Sequence, residues 1–240
     1  MLLFRCEIFQ DYQYAGIHIQ ENIVSLKEKR ADIVYEQLRN HILSLDIDCD
    51  DPLTEEALAT ELKTSRTPIR EAFRRLESEH MIEIVPYRGA FVKKLTLKDI
   101  SEIFVIRKAL EPVCAKTACA SIGPTDLIKI EESLDIADAL LASDQIVASS
   151  LVGDSIHENL IKIANNSRIL QIFSSLSLQL ARLKKISTVV PELTAKSNIA
   201  HRDILSALKN KNAEGAADSM LEHLEHTEQM MKSIFNNSVL

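Results

Sequence analysis

Three histidines, His157, His201 and His223, stand on three separate stretches of the chain, each inside an apolar stripe at helical spacing. His157 shares a face with Leu160, Ile161 and Ala164, His201 with Ile204, Leu205 and Leu208, and His223 with Met220, Thr227 and Met230. A single inward histidine is more often a hydrogen-bonded core residue than a ligand. Three on converging helices point to a divalent metal, Zn²⁺ or Ni²⁺, held by imidazoles inside a helical bundle, with His226 a weaker substitute. Arg107 lies at the centre of another stripe, Ile100, Ile103, Phe104 and Leu110, where an unpaired guanidinium is costly. Two partners fit it: Glu111, one turn on, as an internal ion pair, or the carboxylate of a small ligand. A third group is cationic. Residues 63–75 hold Lys63, Arg66, Arg70, Arg74 and Arg75 against Glu71 alone, and residues 88–94 add Arg88, Lys93 and Lys94 with no acid.

The elements that must position these groups are helical. The 240 residues are 46% hydrophobic, enough for one large domain or two smaller ones, and five glycines with six prolines are too few for the turns of an all-β fold. No apolar run reaches the roughly 20 residues of a membrane span. Cys6, Cys49, Cys114 and Cys119 show no metal-type or redox-type pairing, and no signal peptide is evident, so a reducing cytoplasm is expected. Residues 1–29 read as an N-terminal extension, residues 30–95 as a compact domain of short helices and a hairpin, and residues 96–240 as an all-α antiparallel helical bundle.

In the compact domain Val34, Leu38, Ile42 and Leu45 give an opening helix. Thr54 caps a second, with Glu55 and Glu56 in its first turn. Thr67 is expected to cap a third helix with Pro68 at its first position. Ile69, Ala72, Phe73 and Leu76 form the buried stripe of that helix, which leaves Arg70 and Arg74 together on the opposite side below Thr67. The runs 82–85 and 90–92 are β-prone and flank Pro86-Tyr87-Arg88-Gly89, a turn with Arg88 at its tip. Thr96 and Asp99 have capping-box spacing and mark the start of the bundle. Two short helices, a basic third helix and a β-hairpin wing describe a winged helix-turn-helix.

The net charge of -7 argues against nucleic acid only on average. Residues 30–95 carry ten basic and thirteen acidic side chains, yet seven of the acids crowd into residues 46–61, away from the cationic third helix and hairpin tip. Such a split favours one docking orientation on DNA.

The run Ser65-Arg66-Thr67-Pro68-Ile69-Arg70-Glu71-Ala72-Phe73-Arg74-Arg75-Leu76-Glu77, followed by Pro86-Tyr87-Arg88-Gly89-Ala90-Phe91-Val92, closely resembles the GntR superfamily of bacterial transcription regulators. The helical remainder resembles its FadR-like branch with an FCD ligand-sensing domain, so that the likeness covers roughly residues 30–235. It implies a homodimer that binds a palindromic operator in double-stranded DNA, a repressor controlled by a small organic acid. The DNA-binding residues it implies are Lys63, Ser65, Arg66, Thr67, Arg70, Arg74, Arg88 and Gly89: Arg66 and Arg70 at base edges, Arg74 and Lys63 at phosphate, Arg88 and Gly89 at the minor groove. Arg107 and Glu111 would line the effector pocket, with Arg182 a further candidate. His201 and His223 match the FCD metal-ligand positions.

Where such relatives carry turn glycines this chain has Cys49-Asp50, Lys63 and His80, so altered turns are expected. The aspartate that usually precedes the first metal histidine by four residues is Gly153. Asp154 is adjacent but rotated by about 100° on a continuous helix, which implies a three-histidine site completed by water or by the effector carboxylate. The rival reading is a metal-dependent enzyme with an accessory winged helix, since three histidines with an open position also serve hydrolytic zinc enzymes. No nucleophile constellation accompanies the histidines, and the cationic helix opposes that rival.

Overall fold

The computed structural model describes residues 23–44, 49, 51–187 and 190–237. Residues 1–22, most of the N-terminal extension, lie outside them, as do Cys6, Leu45 and Asp50. The first helix begins inside that extension: α1 spans Ile23–Ser44, and its residues Val34, Tyr35, Leu38 and Ile42 are buried.

α1 packs on α3 (Arg66–Ser78), with α2 (Glu55–Glu61) closing the motif. Thr54 caps α2 as expected, its hydroxyl accepting from the Ala57 amide at 3.3 Å. The start of α3 differs. Ser65 is the N-cap and Thr67 already lies inside the helix, so Pro68 is its third residue. None of the first four amides of a helix has an acceptor within it, so a proline is accommodated at either place and the sequence signal was two residues late.

β1 (Ile82–Val85) and β2 (Gly89–Val92) form the antiparallel wing, with Ile82 opposite Val92 and Val85 opposite Gly89. Leu53, just before α2, adds a bridge to Ala90 through two backbone hydrogen bonds. Gly89 is needed there. Its φ is +105°, and a Cβ on it would stand 3.0 Å from the Leu53 carbonyl oxygen.

The second body comprises α4 (Leu97–Ser121), α5 (Pro124–Ala142), α6 (Ile146–Gly153), α7 (Ser155–Ala164), α8 (Ser167–Ser187), α9 (Pro191–Lys209) and α10 (Ala213–Asn237). α10 packs on α4 and α9, α5 on α6 and α9, and α7 on α4. The Thr96–Asp99 capping box is complete: Asp99 N–H donates to Thr96 Oγ1 at 3.1 Å, and Thr96 N–H to Asp99 Oδ2 at 2.9 Å. The core of this bundle runs through Phe104, Leu134, Ile156, Leu160, Ile204 and Leu224.

One helix belongs to both bodies. Leu178 of α8, 3% exposed, sits in the core of the winged helix with Val34, Leu38 and Phe73. Its neighbour Gln179 donates to the Glu79 carbonyl at 3.2 Å, and Arg182 Nη1 to the Lys93 carbonyl at 2.7 Å.

Candidate functional site

The cationic residues gather on the outer side of α3 and at the wing. Lys63, Ser65, Arg66, Thr67, Arg70, Arg74 and Arg88 are all exposed, whereas Ile69, Ala72, Phe73 and Leu76 are buried. Arg75 leaves this face. It stacks over Tyr35 at 3.8 Å and pairs with Asp32 at 2.5 Å, holding α3 to α1. Arg88 lies over the Phe91 ring at 5.4 Å, beside a fully exposed Tyr87. Two acids in the first turn of α2, read from sequence as helix-dipole partners, have a further role. Glu55 grips Arg70 Nε with both oxygens at 2.8 Å, and Glu56 Oε2 accepts from Arg66 Nη2 at 3.1 Å. Their spacing of 15 and 10 residues from the arginines carried no local signal; the packing of α2 against α3 creates the contacts.

Within the bundle, His157, His201 and His223 converge from α7, α9 and α10, with one ring nitrogen of each within 4.8 Å of the others. All three are buried, and His201 is 0% exposed. His226 is exposed and outside the cluster. His157 Nδ1 lies 2.5 Å from Glu111 Oε2, and His157 Nε2 lies 3.2 Å from His201 Nε2. Arg107 Nε donates to the other Glu111 oxygen at 2.5 Å. Burial opposes the charge of Glu111, but Arg107 and His157 outweigh it and hold the carboxyl down at about 2. An ionised Glu111 fixes the proton of His157 on Nδ1, which turns the Nε2 lone pair toward His201. Burial, followed by the approach of His157, pushes His201 down to about 3. Burial and then His201 lower His223 well below its ordinary value.

This donor set fits a divalent metal. His201 and His223 are held neutral, as ligation requires. The 3.2 Å between His157 Nε2 and His201 Nε2 matches the roughly 3.3 Å expected of two nitrogens sharing a tetrahedral ion at about 2.0–2.1 Å each. His201 Nδ1 is buried without a hydrogen-bond partner. His157, His201 and His223 would hold such an ion, which would supply a Lewis-acid anchor for a ligand oxygen.

The helix ends where Asp154 begins. α6 stops at Gly153 and α7 starts at Ser155, so Asp154 sits in the break, with Oδ1 3.9 Å from His201 Nε2 and Oδ2 3.5 Å from Lys184 Nζ. The expected 100° rotation away from the histidines assumed one continuous helix. Gly153 itself is hemmed in: a Cβ there would fall 2.7 Å from Asn198 Oδ1. Asn198 thus fills space that a side chain at 153 would need, and donates to Asp138 at 3.2 Å and Ser149 at 3.3 Å.

A cavity of about 460 Å³ opens beside the cluster, lined by Arg107, Glu111, Asp154, His157 and His223 among others. Phe104 lies under Arg107 at 5.1 Å. Arg182 does not line it. That residue points from α8 toward Lys93 and the winged helix, so its expected place in the effector site is corrected to the junction between the two bodies. Among the described residues, no helix is long and apolar enough to cross a membrane.

A winged helix with a cationic third helix, joined to a helical bundle that encloses a ligand-sized cavity, defines a class of DNA-binding regulators with a sensing domain. The chain belongs to the GntR family of bacterial regulatory proteins, matched over residues 30–92, with an FCD domain matched over residues 102–226. It is 26% identical over 204 residues to the HTH-type transcriptional repressor RspR of Escherichia coli K12, spanning 84% of this chain and 88% of that protein. It is 34% identical over 143 residues to the gluconate operon transcriptional repressor of Bacillus licheniformis, spanning 58% and 57%. Its fold is similar to a GntR regulator of Rhodococcus sp. RHA1 (TM-score 0.71, 24% identity, 88% of this chain and 99% of that one). It is also similar to E. coli McbR/YncC (TM-score 0.69, 21% identity, 86% and 99%). Family and relatives are transcriptional regulators, not enzymes.

Proposed function

We propose that the protein is a cytoplasmic repressor that binds a palindromic operator as a homodimer and responds to a small carboxylate in the cavity of its helical domain. The observation that carries this reading is the α8 helix. One side of it, with Phe173, Ser177 and Lys184, lines the cavity, and the other, with Leu178, Gln179 and Arg182, is anchored in the winged helix. A ligand that fits the cavity better in one placement of the two bodies shifts DNA affinity, and DNA shifts ligand affinity by the same factor.

On the DNA side, Arg66 and Arg70 read base edges, Lys63, Ser65, Thr67 and Arg74 contact phosphate, and Arg88 with Gly89 follows the minor groove. On the effector side, Arg107 meets the carboxylate, with Glu111 fixing its orientation. His157, His201 and His223 hold Zn²⁺ or Ni²⁺, with Asp154 as a fourth donor. The test combines a mobility-shift assay on the protein's own promoter with a thermal-shift screen of organic acids, with and without these metals. Binding that weakens steeply with salt and is released by an acid that also raises the melting temperature is the expected result. Absence of promoter binding removes the DNA reading; promoter binding that no acid alters removes the effector reading.

A further inference from the structure

Among the described residues, six positions other than glycine have a left-handed backbone: Lys63, His80, Tyr87, Asp144, Asn165 and Lys211. Five of them close the helices α2, α3, α5, α7 and α9. After four of those five the next amide donates back into the helix, Thr64 to Ala59, Met81 to Leu76, Gln145 to Leu140 and Asn212 to Ala207. Tyr87 ends no helix. It stands third in the turn Val85–Arg88, which the Arg88 amide closes on the Val85 carbonyl at 3.1 Å. Its φ is +64°, and it follows Pro86, whose ring fixes φ at about −65°. These are the φ signs of a type II turn, whose third position belongs to glycine or asparagine. A tyrosine there is strained by its Cβ.

No packing within the fold offsets that strain, because Tyr87 is fully exposed. The wing that carries it is fixed all the same. Leu53 and Ala90 exchange two backbone hydrogen bonds, at 2.7 and 3.0 Å, and Arg88 lies back over the Phe91 ring. The tip thus holds an aromatic ring out at its furthest point, on a rigid base, at a cost in backbone strain. The charge around it suits the walls of a duplex groove: residues 88–94 hold Arg88, Lys93 and Lys94 with no acid. The minor groove is a slot about 6 Å wide and about 7.5 Å deep, and a ring about 3.5 Å thick enters it edge-on between the deoxyribose walls. The phenolic hydroxyl at the end of the ring then donates to N3 of adenine or O2 of thymine on the groove floor. The 2-amino group of guanine projects from that floor into the same space.

We infer that Tyr87 is a specificity-determining DNA contact, seated in the minor groove beside the α3 site, where it selects A·T over G·C pairs. This rests on the winged helix binding DNA. The full-length protein is tested on a fragment of its own promoter, footprinted to locate the minor-groove positions protected beside each major-groove half-site. Those positions are rebuilt as A·T, G·C or inosine·C pairs. Inosine lacks the 2-amino group, so its pair shows an A·T-like minor groove and a G·C-like major groove. Wild type binds the A·T and inosine·C fragments about fivefold or more tightly than the G·C fragment. Tyr87→Asn, which suits the turn, melts about 2–4 °C higher than wild type, yet binds the promoter more weakly and no longer distinguishes the three fragments. A gain in stability with a loss of affinity separates a contact group from a part of the fold. A variant that melts lower, or that discriminates the pairs as wild type does, overturns the inference and leaves promoter binding standing. Wild type that disfavours inosine·C as strongly as G·C overturns it as well, because the 2-amino group is then not what is read. Wild type that does not bind the promoter overturns it together with the DNA-binding reading.

Discussion

Both carboxylate oxygens of Glu55 lie 2.8 Å from Nε of Arg70, so the guanidinium is held by its inner edge, and its two terminal nitrogens make no hydrogen bond among the described residues. Those two nitrogens are the pair that can meet O6 and N7 of a guanine together. On the proposed DNA-facing surface a glutamate in this position costs general affinity, because it adds a negative charge to a cationic face, but it removes rotational freedom from the Arg70 guanidinium. Glu55→Gln is accordingly expected to separate the two effects. Binding to random DNA rises as the charge is lost, while discrimination between operator and random DNA falls by about 1 kcal/mol per half-site. Competition mobility shifts measure both. A variant that gains equally on both DNAs would falsify the positioning role and leave only the charge.

Gly153 and Asn198 form a second coupled pair. A Cβ at 153 meets Asn198 Oδ1 at 2.7 Å, and the Asn198 amide is fixed by Asp138 and Ser149. Gly153→Asp alone is therefore expected to destabilise the bundle. Gly153→Asp with Asn198→Ala frees the space and adds a carboxylate near the three histidines. The double variant is expected to bind Zn²⁺ about tenfold or more tightly, the scale on which single groups in and around a metal site act. Metal competition titration reads this out, and an unchanged affinity in a well-folded double variant would show that position 153 does not face the metal.

Arg182 is a structural link whose loss can be told from loss of the effector. It is 5% exposed, and burial lowers its pKa while Cys49 and Asp99 oppose that shift. Among the described residues, it ties to the winged-helix backbone through the 2.7 Å bond to the Lys93 carbonyl. Arg182→Ala is expected to retain effector binding, because the residue does not touch the cavity, and to lose most of the effector's influence on operator affinity. Calorimetry for the effector and mobility shift for DNA, done on the same preparation, separate the two. Normal release of the operator by the effector would place the coupling elsewhere.

What could be read from the sequence was set by local chemistry. Thr54 and the Thr96–Asp99 box act on neighbours a few residues away and stand where their spacing indicated, while the wing turn closes one residue earlier than expected, with Gly89 already paired to Val85 in β2. The inward histidines were legible because burial at helical period is a one-dimensional signal. What was not legible depends on packing between distant segments: the Glu55 and Glu56 partners, the helix break that turns Asp154 toward His201, and the direction of Arg182. The turns at Lys63 and His80 show the limit of residue preference. Their φ values are +48° and +57°, so the left-handed turns are kept without glycine, where altered turns were expected. Each is over-determined by its surroundings: the amide of Thr64 donates to the Ala59 carbonyl after the first, and that of Met81 to the Leu76 carbonyl after the second.

The Thr96–Asp99 cap stands where the winged helix passes into the bundle, and its strength depends on the charge of Asp99. Burial opposes that charge, but the Thr96 side chain and amide, with Lys93 and Lys98 nearby, outweigh it and hold the carboxyl below its ordinary value. A lowered folded-state pKa stabilises the protein above the unfolded-state value, about 4 for an aspartate, and that contribution is lost as pH falls through the lower folded-state value. Asp99→Asn keeps an acceptor for the Thr96 amide but not the charge. It is expected to cost about 0.5–1 kcal/mol at pH 7, within the range of helix-cap substitutions. The difference between wild type and variant should persist at pH 5 and shrink below about pH 4, as the wild-type carboxyl protonates. Chemical denaturation of both proteins at pH 7, 5 and 3.5 checks this. A difference that does not change with pH would assign the stabilisation to the geometry of the cap rather than to its charge.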